Sequence, residues 1–301
     1  MTAELPVLVI GASGAQGGAV LKALADRGVP TRALVRDARD AGGLHDLADE
    51  IVMADLSDID AVARAVERSR AVFLVTPFEA DRDAALETAA RVAAGLARGR
   101  ARHVVFNTGI IAGMPDAGVG SIDGKHALLA ALRGAEVPVV ELAVTYYLEN
   151  WLMPWASGRL AAGILSYTLP ADLPVSWLAQ GDMAAAAAAA LLRPDLAGKT
   201  IQLGGETRTP QEIAALVAEA TGRLLRFEQL GLDDFIAATD AASGPARLGT
   251  AIGALYRWVI EKRPAAAKVG AGGLAELGVE PISPARWVAA QSWRSADTAP
   301  A

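Results

Sequence analysis

The sequence contains no cysteine, and this absence excludes several kinds of chemistry at once. Without a thiol the chain has no disulfide, no thiolate nucleophile and no cysteine-ligated metal. Histidine is scarce as well: His45, His103 and His126 lie far apart and lack the spacing of metal ligands. We therefore expect no metal centre.

Long apolar runs and basic clusters are also missing. The first residues contain no basic segment followed by a long apolar run, so the sequence predicts no signal peptide. The run MAAAAAAALL at residues 183–192 has ten residues, well short of the roughly 20 that span a bilayer. The net charge is −6 and no Lys/Arg-rich run stands out, which argues against a nucleic-acid-binding surface. We expect a cytoplasmic protein that binds neither membranes nor nucleic acids.

Apolar runs alternate with helical patterns through the first half of the chain. Buried parallel strands are predicted at residues 6–10, 31–35, 71–76, 103–107 and 137–143, with helices between them at 15–27, 59–67, 81–98 and 125–134. This order predicts an α/β fold with a Rossmann-type, doubly wound parallel sheet. Hydrophobic residues make up 52% of the chain, enough for a sizeable core.

The stretch VLVIGASGAQGGAV at residues 7–20 joins the first strand to the first helix through a glycine-rich turn. In G-x-x-G-x-x-G, Gly11 permits a tight turn, Gly14 lets backbone amides approach a pyrophosphate, and Gly17 lets the helix pack against the strand. This context favours a dinucleotide site over a turn that only joins two elements. We assign residues 1–150 to a dinucleotide-binding domain and 151–301 to a smaller, mostly helical substrate or partner region. From that region, residues 175–205 are expected to return to the sheet.

The end of the second strand indicates which dinucleotide binds. Proteins that prefer NAD carry an acidic residue about 20 positions beyond the glycines, whereas TRALVRDARD places Arg36 there, with Arg32 and Arg39 nearby. A guanidinium suits a 2′-phosphate through paired hydrogen bonds, which favours NADP(H); a solvated surface arginine is the alternative. Further candidates at strand ends, where open α/β sheets bind ligands, are Asp55, Leu56, Thr76, Pro77 and Phe78.

With these residues in place, the chain resembles the NmrA-like family, atypical members of the short-chain dehydrogenase/reductase superfamily. GASGAQGGAV and TRALVRD are close to the family's glycine motif and basic second-strand end, and DGK at 123–125 and YYLENWL at 146–152 resemble two further segments. The family includes NADP(H)-responsive regulators and reductases of quinones, dyes and similar unsaturated substrates. The resemblance implies a cofactor cleft lined by Gly11, Ala12, Ser13, Gly14, Ala15, Gln16, Gly17, Arg36, Asp55, Leu56, Thr76, Pro77, Phe78, Asn107, Lys125, Tyr147, Leu148, Glu149 and Asn150.

The superfamily's usual catalytic pair is Tyr-x-x-x-Lys, in which the lysine binds the nicotinamide ribose and lowers the pKa of a proton-donating tyrosine. Lys125 occupies the lysine position, but Ser121 stands four residues earlier, and a serine hydroxyl is a far weaker acid than a phenol. Five lysines occur beside 23 arginines, which favours a specific role for Lys125 over a solvated helix charge. Thr108, near the end of the fifth strand, either hydrogen-bonds a substrate carbonyl or caps the strand.

The stretch TYYLENWLMPW at residues 145–155 is the densest aromatic segment. Tyr146 or Tyr147 is a candidate to donate a proton or to orient the substrate. Trp151 and Trp155, four residues apart, either fill a core or line an apolar pocket for a flat, conjugated substrate.

The sequence thus predicts an NADPH-dependent reductase of a quinone, an enone or a comparable aromatic acceptor. Lys125, Thr108 and Tyr147 are its candidate catalytic residues, and Tyr146, Trp151 and Trp155 its candidate substrate-lining residues. Two alternatives stay open. One is an NADP(H)-binding redox sensor that acts through a regulatory protein partner or a homodimer, and the other is a non-redox isomerase or dehydratase on the same scaffold.

Overall fold

Buried apolar strands form the centre of the protein. The computed structural model describes residues 5–109, 117–244, 247–262, 270 and 272–293. Its strands are β1 (Val7–Ile10), β2 (Thr31–Val35), β3 (Glu50–Met53), β4 (Ala71–Leu74), β5 (Val104–Asn107), β6 (Val139–Val144), β7 (Tyr146–Tyr147), β8 (Ile164–Tyr167), β9 (Val175–Leu178), β10 (Thr200–Leu203), β11 (Thr207–Arg208) and β12 (Arg226–Gln229). Seven of them form one parallel sheet of order β10-β6-β5-β4-β1-β2-β3.

Helices cover both faces of this sheet. They are α1 (Ala15–Ala25), α2 (Ile59–Glu67), α3 (Arg82–Arg98), α4 (Gly120–Gly134), α5 (Pro154–Ser157), α6 (Gln180–Leu191), α7 (Pro210–Thr221), α8 (Leu232–Ser243), α9 (Leu248–Lys262), α10 (Gly272–Glu276) and α11 (Pro284–Ala289). An apolar core joins α1 and α6 to one face, and a second core joins α2, α3 and α4 to the other. The predicted α/β fold with a doubly wound parallel sheet is confirmed. Its order reverses at β1, which pairs with both β2 and β4, and such a reversal is where open sheets bind ligands.

The alanine-rich run lies within α6. Met183, Ala184 and Ala186 are buried in the core that α6 shares with α1. Their short side chains let the two helices and the sheet approach closely. Among the described residues, no helix combines the length and the apolar character needed to cross a membrane.

The second half of the chain joins the large sheet only in part. β10 pairs with β6, but β9 pairs with β7 and β11 in a separate three-stranded sheet, and β8 pairs with β12. Of residues 175–205, α6 packs against the large sheet and β10 joins it, whereas β9 lies in the three-stranded sheet. Trp177 on β9 packs against Trp151 and Tyr167 in a separate cluster. This aromatic core also contains Tyr146, Leu148, Phe235 and Tyr256.

Helix α4 begins five residues earlier than predicted, at Gly120. Glycine is unfavourable in helix interiors, so no local signal extends the predicted helix through Gly120 and Gly124. The reason for the earlier start is tertiary, because α4 packs against α3 and against the segment before α3. A Cβ at Gly120 would lie 2.9 Å from the Ala80 carbonyl oxygen, and one at Gly124 would lie 2.9 Å from Ala85 Cβ. The extension places Ser121 and Lys125 on one helix, one turn apart.

Candidate active site

The turn between β1 and α1 forms one wall of a cavity at the carboxyl edge of the large sheet. Gly11 has φ +83°, and a Cβ there would lie 2.5 Å from Val75 Cγ1. A Cβ at Gly17 would lie 2.1 Å from the Gly11 carbonyl oxygen. Gly14 begins α1 without a side-chain cap, and the first turn carries no acidic residue. The amides at the start of α1 are therefore free to bind an anion.

The cavity has a volume of about 580 Å³ and runs from this turn to the aromatic core. Its walls bring together most of the residues that the sequence predicted for cofactor and substrate. Those that line it are Gly11, Ser13, Gly14, Ala15, Gln16, Gly17, Leu56, Thr76, Pro77, Phe78, Asn107, Thr108, Lys125, Tyr146, Tyr147, Asn150 and Trp155.

Three predicted residues lie in the interior instead, and a fourth, Glu149, is half-buried outside the cavity. Ala12, Leu148 and Trp151 are almost completely buried and do not line the cavity. The carboxylate of Glu149 accepts hydrogen bonds from the first backbone amide of α6, at 3.0 Å, and from the Trp287 indole, at 3.3 Å. Burial raises the pKa of Glu149. Leu148, Glu149 and Trp151 connect the segment after β7 to its neighbours, and Ala12 lies in the turn after β1; none of the four lines the cavity.

Arg36 lies outside the cavity, on the exposed end of β2. No described residue forms a hydrogen bond or ion pair with its guanidinium, whereas Arg39 pairs with Asp37 at 2.6 Å. Arg32 points into the protein and pairs with Glu50 at 3.0 Å. Of the three arginines in this stretch, Arg36 therefore has the guanidinium that a ligand can reach without breaking an existing ion pair.

Asp55 and Leu56 follow β3 and have separate roles. Leu56 lines the cavity, but Asp55 does not. The Asp55 carboxylate accepts hydrogen bonds from the hydroxyl and the amide of Ser57, at 2.7 and 2.8 Å, and these bonds lower its pKa. The carboxylate thus shapes the loop after β3.

A hydrogen-bond network connects the glycine turn to β7. Asn107 Nδ2 donates to Gln16 Oε1 at 2.8 Å and to Tyr147 Oη at 3.0 Å, while Asn107 Oδ1 accepts from the Gly109 amide at 3.0 Å. Burial raises the pKa of Tyr147, so its phenol stays protonated at neutral pH. Because Asn107 donates to this phenol, the Tyr147 proton is available to a ligand in the cavity.

Lys125 presents a buried cation to the same cavity. Its ammonium lies 5.0 Å from the centre of the Phe78 ring, and no described residue accepts a hydrogen bond from it. Burial lowers the pKa of Lys125 to about 8. The hydroxyl of Ser121 also lines the cavity, is buried, and has no partner among the described residues. Buried polar groups without partners are unfavourable, so both groups gain from a bound ligand.

Thr108 directs its hydroxyl into the protein. Its Oγ1 donates to Glu141 Oε1 at 3.1 Å or to the Leu142 carbonyl at 3.3 Å. A hydroxyl has one proton, so Thr108 has no free donor for a substrate carbonyl. The geometry supports the alternative in which Thr108 secures the strand end.

Residues from α8 and α9 complete the cavity, and the sequence did not predict them. Phe235 and Thr239 of α8, with Ile252, Leu255 and Tyr256 of α9, line the end formed by the aromatic core. Their helical spacing was visible in the sequence as one face. Nothing local indicated that this face lies opposite the glycine turn.

Comparison with known proteins places this geometry in a family. The model of the NmrA-like family matches residues 4–260. The chain belongs to the NmrA-like family. It is 34% identical over 230 residues to the (4-alkanoyl-5-oxo-2,5-dihydrofuran-3-yl)methyl phosphate reductase of Streptomyces griseus, covering 75% of this chain and 78% of that protein. It is 30% identical over 256 residues to the NAD(P)H azoreductase of Xenophilus azovorans, covering 83% of this chain and 86% of that protein.

Solved structures share the fold of this NmrA-like chain. The NADPH-dependent quinone oxidoreductase of Escherichia coli, solved with NADPH, has a TM-score of 0.77 at 20% identity, covering 94% of this chain and 98% of that one. The triphenylmethane reductase of Citrobacter sp., solved with NADP(H), has a TM-score of 0.77 at 19% identity and the same two coverages. At these identities the likeness concerns the fold alone.

Proposed function

We propose that this NmrA-like protein binds NADP(H) and reduces an electron-poor, conjugated small molecule such as a quinone, an enone or an aromatic acceptor. The observation that carries the proposal is the continuity of the cavity, which leads from the glycine turn past Lys125 into an apolar, aromatic end. A site that served the dinucleotide alone would not need this second end. Both curated relatives are named as reductases, which supports the reaction class.

The residues present fit the cofactor. The free amides at the start of α1 suit the pyrophosphate, and substituents at Gly11 or Gly17 would clash with the turn. The exposed guanidinium of Arg36 suits a 2′-phosphate through charge-assisted hydrogen bonds. The ammonium of Lys125, which lacks a partner among the described residues, suits the hydroxyls of the nicotinamide ribose. When bound, NADPH supplies a hydride from C4 of its nicotinamide.

The protein's own contribution is to bind, to orient and to exclude water. Asn107 fixes the Tyr147 phenol, whose retained proton can stabilise developing negative charge on an acceptor. Trp155 and Phe235 supply flat apolar surface at the other end of the cavity. Ser121 replaces the phenol that usually precedes the lysine, so an acceptor that delocalises charge is favoured over a simple ketone.

The test is NADPH oxidation by the purified protein with menadione, an enone, an azo dye and a triphenylmethane dye. We expect turnover of at least one class, faster with NADPH than with NADH. Lys125→Met is the loss-of-function variant, and Lys22→Met, which removes an exposed lysine that does not line the cavity, is its matched control.

Binding of NADPH should be measured in parallel by its fluorescence. Tight binding without oxidation of any acceptor would reject the reductase proposal. A change in oligomeric state on binding would then favour the redox sensor, and consumption of a substrate at constant NADPH would favour a non-redox enzyme.

A further inference from the structure

A series of hydrogen bonds runs from the Asn150 amide, in the segment after β7, through two phenols to the aromatic end of the cavity. Asn150 Nδ2 donates to Tyr167 Oη at 3.1 Å, and Tyr167 Oη lies 3.0 Å from Tyr256 Oη. Tyr167 is fully buried and does not line the cavity, whereas Tyr256 does. The series therefore starts at Asn150, which also lines the cavity, passes through the buried Tyr167 and ends at Tyr256 in the cavity wall.

The direction of these hydrogen bonds follows from the fact that each phenol has a single proton to donate. Tyr167 already accepts from Asn150, and Tyr256 Oη is the described acceptor within reach of the Tyr167 proton. A buried phenol proton without an acceptor is unfavourable, so Tyr167 donates to Tyr256. The proton of Tyr256 is then left over. The hydroxyl of Thr168 lies within hydrogen-bonding range of this phenol and has no other partner among the described residues. A ligand oxygen in the cavity therefore competes with Thr168 for the Tyr256 proton.

A second phenol stands beside Tyr256. The ring of Tyr146 stacks on that of Tyr256, with centroids 5.9 Å apart and planes 9° from parallel. Tyr146 is only 6% exposed, lines the cavity, and its hydroxyl has no partner among the described residues. Burial raises the pKa of both phenols, so both keep their protons.

We propose that Tyr146 and Tyr256 together bind a carbonyl oxygen of the substrate, and that Tyr167 is a positioning residue that holds the Tyr256 proton toward the cavity. This inference rests on the proposed function and narrows its substrate class to flat molecules with a carbonyl oxygen, such as quinones and enones. A buried phenol that lacks an acceptor can donate its proton to a carbonyl oxygen of a ligand, whereas a hydrocarbon ligand offers no acceptor and leaves the phenol unpaired. Neither Tyr167 nor Tyr256 belongs to the sequence segments that carry the family resemblance.

Two probes with the same fused-ring carbon skeleton separate hydrogen bonding from apolar packing. Menadione carries two carbonyl oxygens, and β-methylnaphthalene is the corresponding hydrocarbon. Equilibrium dialysis against the protein loaded with NADP⁺ measures both affinities without turnover. We expect Tyr256→Phe and Tyr146→Phe each to weaken menadione binding by about 3- to 10-fold while β-methylnaphthalene binding stays within about 2-fold.

Tyr167→Phe tests the positioning role. Because Tyr167 does not reach the cavity, we expect a smaller loss that is again confined to menadione. Trp155→Phe is the matched control, because it trims the apolar wall and should weaken both probes equally. The inference would be overturned if the tyrosine variants lost affinity for menadione and for β-methylnaphthalene equally. It would also be overturned if Tyr146→Phe or Tyr256→Phe kept the full affinity for menadione.

The outcome is distinguishable from that of the proposed function. Absence of NADPH oxidation by the unmodified protein rejects the reductase but leaves the dialysis experiment intact. In a protein that does turn over, Tyr256→Phe should raise the KM for menadione and leave the KM for a triphenylmethane dye, which has no carbonyl oxygen, unchanged. A common rise for both acceptors would show a merely structural effect.

Discussion

Replacing Lys125 with methionine separates the stability of the protein from its ability to bind a ligand. The ammonium is buried and no described residue accepts a hydrogen bond from it, and burial lowers its pKa from 10.5 to about 8. Each pKa unit corresponds to about 1.4 kcal/mol, so the charged lysine destabilises the ligand-free protein by about 3 kcal/mol at pH 7. Methionine keeps an apolar chain beside Phe78 without the charge. We expect Lys125→Met to raise the melting temperature by about 5 °C and to weaken NADPH binding.

The pH dependence of this gain has a defined sign. Because the pKa of Lys125 is lower in the folded than in the unfolded state, the unfolded chain binds more protons between about pH 8 and pH 10.5. The stability of the unmodified protein therefore rises with pH across that window, relative to Lys125→Met. The advantage of the variant should be full below about pH 8 and shrink above it. Thermal melts of both proteins from pH 7 to pH 10 measure this difference, with Lys22→Met as the exposed control. A variant less stable than the unmodified protein at pH 7, or a gain independent of pH, would refute the reasoning.

Three further substitutions test the turn, the cofactor preference and the serine. Gly17→Ala places a methyl group 2.1 Å from a turn carbonyl oxygen and should abolish NADPH binding and lower the melting temperature, whereas Gly18→Ala meets its nearest atom at 3.6 Å and should be tolerated. Arg36→Ala should weaken NADPH binding by about 10- to 100-fold and NADH binding little. Its control is Arg39→Ala, which removes a guanidinium already paired with Asp37 and should change the binding of neither dinucleotide. Equal losses of NADPH and NADH binding in Arg36→Ala would exclude a 2′-phosphate role for Arg36. Ser121→Ala removes a buried hydroxyl without a described partner and should raise the free energy of unfolding, measured by urea denaturation, by about 1 kcal/mol. A decrease there would mean that this hydroxyl is satisfied in solution.

The large sheet was predictable because its signals are local and repeated. Strands that are buried on both faces appear in the sequence as continuous apolar runs. When such strands alternate with helices, the rules for crossover connections allow few sheet topologies. The boundary of α4 was not predictable, because Gly120 and Gly124 look unfavourable for a helix until α3 is packed against them. The position of β9 depended in the same way on a distant contact, that of Trp177 with Trp151.

The cavity was predictable at the glycine turn and not at its other end. The glycine turn and Asn107 lie at the ends of predicted strands, and Lys125 is placed by its motif. The carboxyl ends of parallel strands meet at the same edge of a sheet, so these residues could be expected to lie together. Tyr256 lies more than a hundred residues beyond Tyr146, and no local pattern connects the two. Thr108 shows the converse case, since its position at a strand end was correct but the direction of its hydroxyl depends on Glu141 in the neighbouring strand.

Because Ser121 stands where the usual pair has a tyrosine, Lys125 and the phenol proposed to donate to the substrate lie on different helices. In a Tyr-x-x-x-Lys pair the proton donor and the ribose-binding lysine share one helix, so their separation is fixed by one helical turn. Here Lys125 lies on α4 while the phenol of Tyr256 lies on α9. Their relative position depends on packing between these helices, where Ile122 contacts Leu255 and Trp258. Ile122 and Leu255 also line the cavity. A substrate that contacts these two side chains would therefore affect the packing of α4 against α9. That packing sets the distance between Lys125, proposed to hold the cofactor, and Tyr256, proposed to hold the substrate.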